Sequence, residues 1–160
     1  MNENRFEGTL FPFFALPSLI ELDVSYNLFQ SSLSPLTTLK NLTFLYAGRN
    51  SLTGVLPSQL DHLSSLIHFD LSHNKLHGSI PSTIKMWTNL TLLHLDFNSL
   101  TGTLPTFLGH LAGLSELFVN NNKFSGALPY FHGSDMTMIN VSSNWLTGDL
   151  CKFKTPSNEK

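Results

Sequence analysis

A chain of 160 residues is the size of one domain, and a formal net charge of −2 with only 12% charged residues speaks against nucleic acid and against electrostatic attachment to a membrane surface. No run of about 18 apolar residues is present to span a bilayer, so this chain is not expected to insert into a membrane by itself. The one cysteine, Cys151, rules out an internal disulfide, which taken alone fits a reducing compartment.

In chain order, residues 1–15 read as a broken repeat carrying Asn4, Phe6, Gly8 and Leu10. The stretch from Leu10 to Ile20 is apolar enough for a signal-peptide core, but Pro12 and Pro17 interrupt it, so no targeting signal is read there. Residues 16–151 then hold six units of 22–24 residues, paced by Asn27, Asn50, Asn74, Asn98, Asn122 and Asn144. A fixed period in this range is the signature of a solenoid whose units share one core.

The first unit is irregular, with Ser31 and Ser34 where later units have Gly and Pro, and Pro35 one place late. In the second, Ala47 replaces a leucine. The third is regular: Leu63, Leu66, Phe69, Leu71, Asn74, Leu76, Gly78, Ile80, Pro81. The fourth repeats it from Trp87 through Leu93, Leu95, Asn98 and Gly102 to Pro105, and the fifth from Leu111 through Leu117, Val119, Asn122 and Gly126 to Pro129. The last, from Met136 through Ile139, Val141, Asn144 and Gly148 to Leu150, is shortened and carries Cys151 in place of proline. Residues 152–160 are a polar tail.

Each L-x-L piece alternates with period two and predicts a short strand buried on one face, stacked with its neighbours into a parallel sheet. The asparagine falls where the chain must turn, and its amide can donate to and accept from backbone groups that the turn leaves buried. A ladder of these amides is expected to run through the core. Gly and Pro mark a second extended stretch, and the remainder of each unit has room for a turn or two of helix.

This pattern resembles the leucine-rich repeat family, and its L-x-G-x-[I/L]-P element resembles the plant-type subclass of receptor-like kinases, receptor-like proteins and polygalacturonase inhibitors. The resemblance implies a right-handed curved solenoid of the α/β repeat class, with the parallel sheet on the concave face and short or 3-10 helical turns on the convex one. It also implies an ectodomain, extracellular or at the plasma membrane. Three sequons, at Asn41, Asn89 and Asn140, agree with glycosylation. Family members generally carry cysteine-containing caps, which are not seen here. The chain is therefore expected to be a piece of a longer one, or a subunit whose ends a partner covers. The other reading is that imperfect end units cap themselves.

Residues flanking the buried leucines should form columns across the concave face. Phe44, His68 and Leu92 share the first, Tyr46, Asp70, His94 and Phe118 the second, Asp96 lies in the third, and Tyr26 and Phe97 in the fourth. Strands about 4.8 Å apart put neighbours of one column in contact. The rings are expected to offer a binding surface with Asp70, Asp96, His68 and His94 as polar points, which suits a peptide or protein ligand bearing a basic or hydrogen-bonding group. The alternative is that the rings only cover one another across strands. Asn140 lies in the second column, where a glycan would obstruct the last unit.

Seven histidines invite a metal, and His68, Asp70, His94 and Asp96 share two adjacent strands, but such a set would be shallow and unsupported, so no metal is expected. His62, His77 and His110 read as solvated side chains. No nucleophile motif or phosphate-cradling loop occurs, and an open face rarely excludes water, so neither an enzyme nor a cofactor is expected. The leading reading is a ligand-recognition module of a receptor-like protein or receptor kinase. The alternatives are a secreted inhibitor of a cell-wall hydrolase and a structural scaffold.

Overall fold

The computed structural model describes residues 4–131 and 135–149. The readings of Leu150, Cys151 and the tail 152–160 lie outside the described residues. Chain order begins with β1 (Glu7–Gly8), the one-turn helix α1 (Phe11–Phe14), β2 (Glu21–Asp23) and β3 (Leu28–Phe29). Next come β4 (Phe44–Tyr46), β5 (Thr53–Val55), β6 (His68–Asp70), β7 (Lys75–Gly78), β8 (Leu92–His94) and β9 (Ser99–Thr103). The chain closes with β10 (Glu116–Phe118), β11 (Lys123–Ala127), β12 (Met138–Asn140) and β13 (Trp145–Thr147). Four 3-10 turns, Ser34–Thr38, Leu60–His62, Ser82–Met86 and Thr106–His110, link successive pairs on the convex side.

β2, β4, β6, β8, β10 and β12 form one six-stranded parallel sheet in that order, the concave sheet of the solenoid. The register is constant: Leu22, Leu45, Phe69, Leu93, Leu117 and Ile139 lie opposite one another across it. Each strand is centred on the first leucine of the L-x-L piece. The second, such as Leu71 or Leu95, follows directly after the strand and is fully buried.

The second extended stretch is more than an extended stretch. β5, β7, β9, β11 and β13 hydrogen-bond into a five-stranded parallel sheet of their own, which the sequence reading had not expected. Gly78 sits in this sheet at φ +78°, where a Cβ would come within 2.9 Å of Val55 Cγ1 in the unit before. Glycine here permits both the left-handed backbone and the close stacking.

One continuous core runs through the stack from Leu10 and Phe14 to Phe124. Trp87 takes a leucine position, is fully buried against Phe69 with ring centroids 4.8 Å apart, and its Nε1 donates to Leu60 O at 2.8 Å. The buried indole N–H thus has the partner its burial requires. Ser31, in place of glycine, is also buried, and its Oγ accepts from Leu10 N at 3.4 Å.

The asparagines hold the turns. Asn98 Nδ2 donates to Leu71 O at 2.9 Å in the unit before and to Leu95 O at 3.1 Å and Asp96 O at 3.2 Å in its own. Its Oδ1 accepts from Leu76 N at 3.0 Å. Asn50, Asn74, Asn122 and Asn144 make the same set one unit at a time. Asn27 makes the two contacts within its own unit and accepts from Phe6 N at 3.0 Å.

In the last described unit Ile139 holds the inward register position yet is 43% exposed, with Met138 and Trp145 also exposed. The leucine pattern predicts burial there. Burial in a stack comes from the neighbouring unit, and among the described residues Ile139 has one on one side only.

Candidate functional site

The outward residues of the concave strands stand in the expected columns. Glu21, Phe44, His68, Leu92, Glu116 and Met138 are in register, as are Asp23, Tyr46, Asp70, His94, Phe118 and Asn140. Their exposure differs from the expectation. Phe44, Tyr46, His68, Asp70, Leu92, His94 and Phe118 are half-buried, and only Tyr26 and Phe97 of the ten candidate binding residues are exposed. Asp96, expected as a polar point on the surface, is buried at 8% exposure.

Cross-strand ring contacts account for the half-burial. His68 is met edge-on by Phe44 at 5.1 Å and by Tyr46 at 5.8 Å between centroids, and its Nδ1 pairs with the Tyr46 hydroxyl at 2.5 Å. His94 lies flat on Phe118 at 4.4 Å, while its Nε2 faces Glu116 Oε2 at 3.3 Å. The rings therefore form a ladder rather than separate prongs.

The fourth column has a property the sequence did not disclose. Tyr26, Arg49, His73, Phe97, Asn121 and Ser143 all take left-handed backbone, with φ between 52° and 55°. Of these only asparagine and histidine are enriched in that region, and Tyr, Arg, Phe and Ser are not, so residue type carried no consistent signal. The corner is set by the backbone ladder, in which His73 N donates to Asp96 O at 2.8 Å and Phe97 N to Asn120 O at 3.0 Å. It turns the side chains outward, where they pair: Arg49 lies 5.2 Å over the Tyr26 ring, and His73 stacks on Phe97 at 4.1 Å.

Carboxylates dominate the polar chemistry. Asp23 Oδ1 accepts from Ser25 N and Oγ, and Asp70 Oδ1 from Ser72 N at 2.8 Å, so both cap the turn after their strands. Between them, at Gly48, a missing side chain opens a shallow cleft of about 220 Å³ lined by Tyr26, Tyr46, Arg49, Asp23 and Asp70. A Cβ at Gly48 would meet Ser72 Oγ at 2.9 Å and Asp70 Oδ2 at 3.1 Å. Burial, and then the charges of Glu21, Asp23 and Asp70, hold the Tyr46 phenol above its ordinary pKa. Burial likewise raises the Asp96 carboxyl, opposed by a backbone hydrogen bond and by His73 and His94. Among the described residues no three His, Cys, Asp or Glu side chains gather as metal ligands, and no helix is long and apolar enough to cross a membrane.

The Leucine Rich Repeat family model matches residues 41–63, 65–87 and 89–111, three consecutive units of the stack. These three units of the chain are leucine-rich repeats. Its repeats are similar to those of Receptor-like protein 41 of Arabidopsis thaliana, 38% identical over 92 residues, covering 55% of this chain and 10% of that protein. The solenoid superposes on a TDR receptor with a TM-score of 0.85 at 39% identity, covering 89% of this chain and 26% of the receptor. It matches the ectodomain of the Arabidopsis receptor kinase HAESA, solved with a peptide hormone ligand, at a TM-score of 0.86 and 32% identity, covering 91% of this chain and 25% of that one. The chain thus spans about a tenth of the first relative and about a quarter of these structures.

Within the leucine-rich repeats the sequons fall in two places. Asn41 and Asn89 are exposed just ahead of β4 and β8; Asn41 Nδ2 donates to Pro17 O at 3.1 Å. Asn140 is exposed at the end of β12, and its Oδ1 accepts from Ser142 N and Oγ. His62, His77 and His110 are exposed away from the concave sheet.

Proposed function

We propose that the concave face binds an extended peptide or a loop of a partner protein, as part of the ectodomain of a plant-type receptor-like protein or receptor kinase, and has no catalytic role. The supporting observation is the ladder of rings and carboxylates from Tyr26 to Phe118, laid over a sheet whose other face is a dry leucine core. Nothing in packing requires Tyr26 and Phe97, at 53% and 44% exposure, to be aromatic. The similarity to an ectodomain solved with a peptide hormone points the same way. An extracellular location and glycans at Asn41, Asn89 and Asn140 belong to this reading; the first two leave the concave sheet open.

The test is selection of displayed random peptides on the full chain, followed by affinity measurement on variants. Peptides that bind and are weakened about tenfold by Phe97→Ala or Tyr46→Ala, but not by His110→Ala on the convex side, support the reading. Equal binding to all the variants, or no selected peptide, sinks it. The scaffold reading has one observation in its favour, since Phe44–His68 and His94–Phe118 cover each other, and it predicts that second outcome.

A further inference from the structure

We propose that Asp96 and Asn120 form the floor of a subsite for a guanidinium group, the side chain of an arginine carried by the ligand. This deepens the peptide-binding reading and rests on it. The two residues occupy the same column, each two residues beyond the end of its strand, β8 and β10, at 8% and 6% exposure. Asn120 Oδ1 is sealed from solvent without a hydrogen-bond partner. The Asp96 carboxylate has its ion-pair partner, His73 Nε2, only at 3.9 Å, beyond hydrogen-bond length. An amide oxygen without a donor and a carboxylate with a hydrogen bond from its own backbone are thus buried in neighbouring units, and a donor arriving from outside would offset that cost.

The walls narrow the choice of donor. Asp96 lies two residues after His94 and one before Phe97, so it is bracketed by both stacked ring pairs, His94–Phe118 with planes 1° apart and His73–Phe97 with planes 10° apart. Flat ring faces beside acceptors favour a planar cation that stacks and hydrogen-bonds at once. A guanidinium does both, and its fork of donors can reach oxygens on adjacent strands about 4.8 Å apart, which a lysine ammonium does poorly. The surrounding field is negative, from Asp70 on the strand before and Glu116 on the strand after. The chain displays the same mode on itself two units away, where the Arg49 guanidinium covers the Tyr26 ring. To complete the site, Asn120 turns its amide about the side-chain bonds toward the ligand.

The experiment uses the full chain and random dodecapeptides displayed on phage. A selected arginine peptide is resynthesised with citrulline, a neutral isostere, and with lysine. We expect citrulline to weaken binding about tenfold or more, lysine to weaken it less, and the citrulline effect to fall below about twofold in Asp96→Asn. Asn120→Asp, which adds a second carboxylate to the floor, should tighten the arginine peptide and is read out even if Asp96→Asn folds poorly. If the selected peptides tolerate citrulline but are lost in Phe97→Ala, the concave face binds peptide and the guanidinium subsite is wrong. If the arginine effect persists unchanged in Asp96→Asn and is not strengthened by Asn120→Asp, the cation is held elsewhere on the face. No selected peptide at all overturns both ideas.

Discussion

His94 lies flat against Phe118 on the neighbouring strand, ring centroids 4.4 Å apart. The pair sits on the outward face of the sheet, so each ring is covered mainly by the other and not by the core. Phe118→Ala should therefore cost only about 0.5–1.5 kcal/mol for the lost ring pair, plus the half-buried area of one ring. Phe124, fully buried further along the same unit, should cost about 3–5 kcal/mol when cut to alanine. Urea unfolding of the two variants side by side checks this. Equal losses would mean that Phe118 is a core residue and that the outward column is misassigned.

Asn98 joins two units through three donated bonds and one accepted bond. Asn98→Ala leaves the Leu76 N–H without its acceptor and takes one of two donors from each of Leu71 O, Leu95 O and Asp96 O in a partly buried turn, and should destabilise by roughly 1–3 kcal/mol. Among the described residues Asn27 donates only within its own unit, so Asn27→Ala should cost less. An unchanged unfolding midpoint in Asn98→Ala would show that water replaces the amide and that the ladder is not what holds the turns.

The regular spacing of the asparagines makes the solenoid readable, because each needs the same backbone groups at the same offset. The same spacing fixes the columns, since register follows once every unit has one length. What it leaves hidden is whatever depends on the neighbouring unit. Burial of Asp96 and half-burial of Phe44 and His94 come from cross-strand contacts that no single unit specifies. The second sheet is hidden for a similar reason: strands such as Lys75–Gly78 and Ser99–Thr103 carry a single buried apolar residue before the glycine, too short a pattern to signal a strand, and their pairing is with the neighbouring unit. The left-handed corner at Tyr26, Arg49, His73 and Phe97 is imposed by the ladder on residues that would not choose it.

Gly78 gives a sharp test of the glycine stacking in the second sheet. At φ +78°, with a Cβ brought to 2.9 Å from Val55 Cγ1, Gly78→Ala should cost more than the roughly 1 kcal/mol that separates these residues on backbone entropy. Gly113 has no positive φ, and a Cβ there would rest 3.7 Å from Leu90 O, an ordinary contact. Gly113→Ala should be neutral or slightly stabilising. Thermal unfolding of both variants decides it. Partial recovery of Gly78→Ala by Val55→Ala would locate the clash, whereas no recovery would assign the whole cost to the backbone angle.

Asp96 makes stability depend on pH in an unusual direction. Burial holds its carboxyl above the ordinary value in the folded chain, so ionising it opposes folding. The penalty is present in full above the raised folded-state value, shrinks as the pH falls through it, and is gone below the unfolded value. Most carboxylates held in native hydrogen bonds behave the other way, losing stability in acid. Asp96→Asn should accordingly raise the melting temperature at pH 7, and its advantage over the parent should diminish as the pH falls through the carboxylate range. His73 and His94 oppose the shift, so His73→Ala should move the Asp96 carboxyl further above its ordinary value. Melting curves of the parent, Asp96→Asn and His73→Ala at pH 7 and pH 4 supply the comparison. A fall in the Asp96→Asn melting temperature at pH 7 would mean that the carboxylate is a net stabiliser, its bond to its own backbone outweighing the cost of burial.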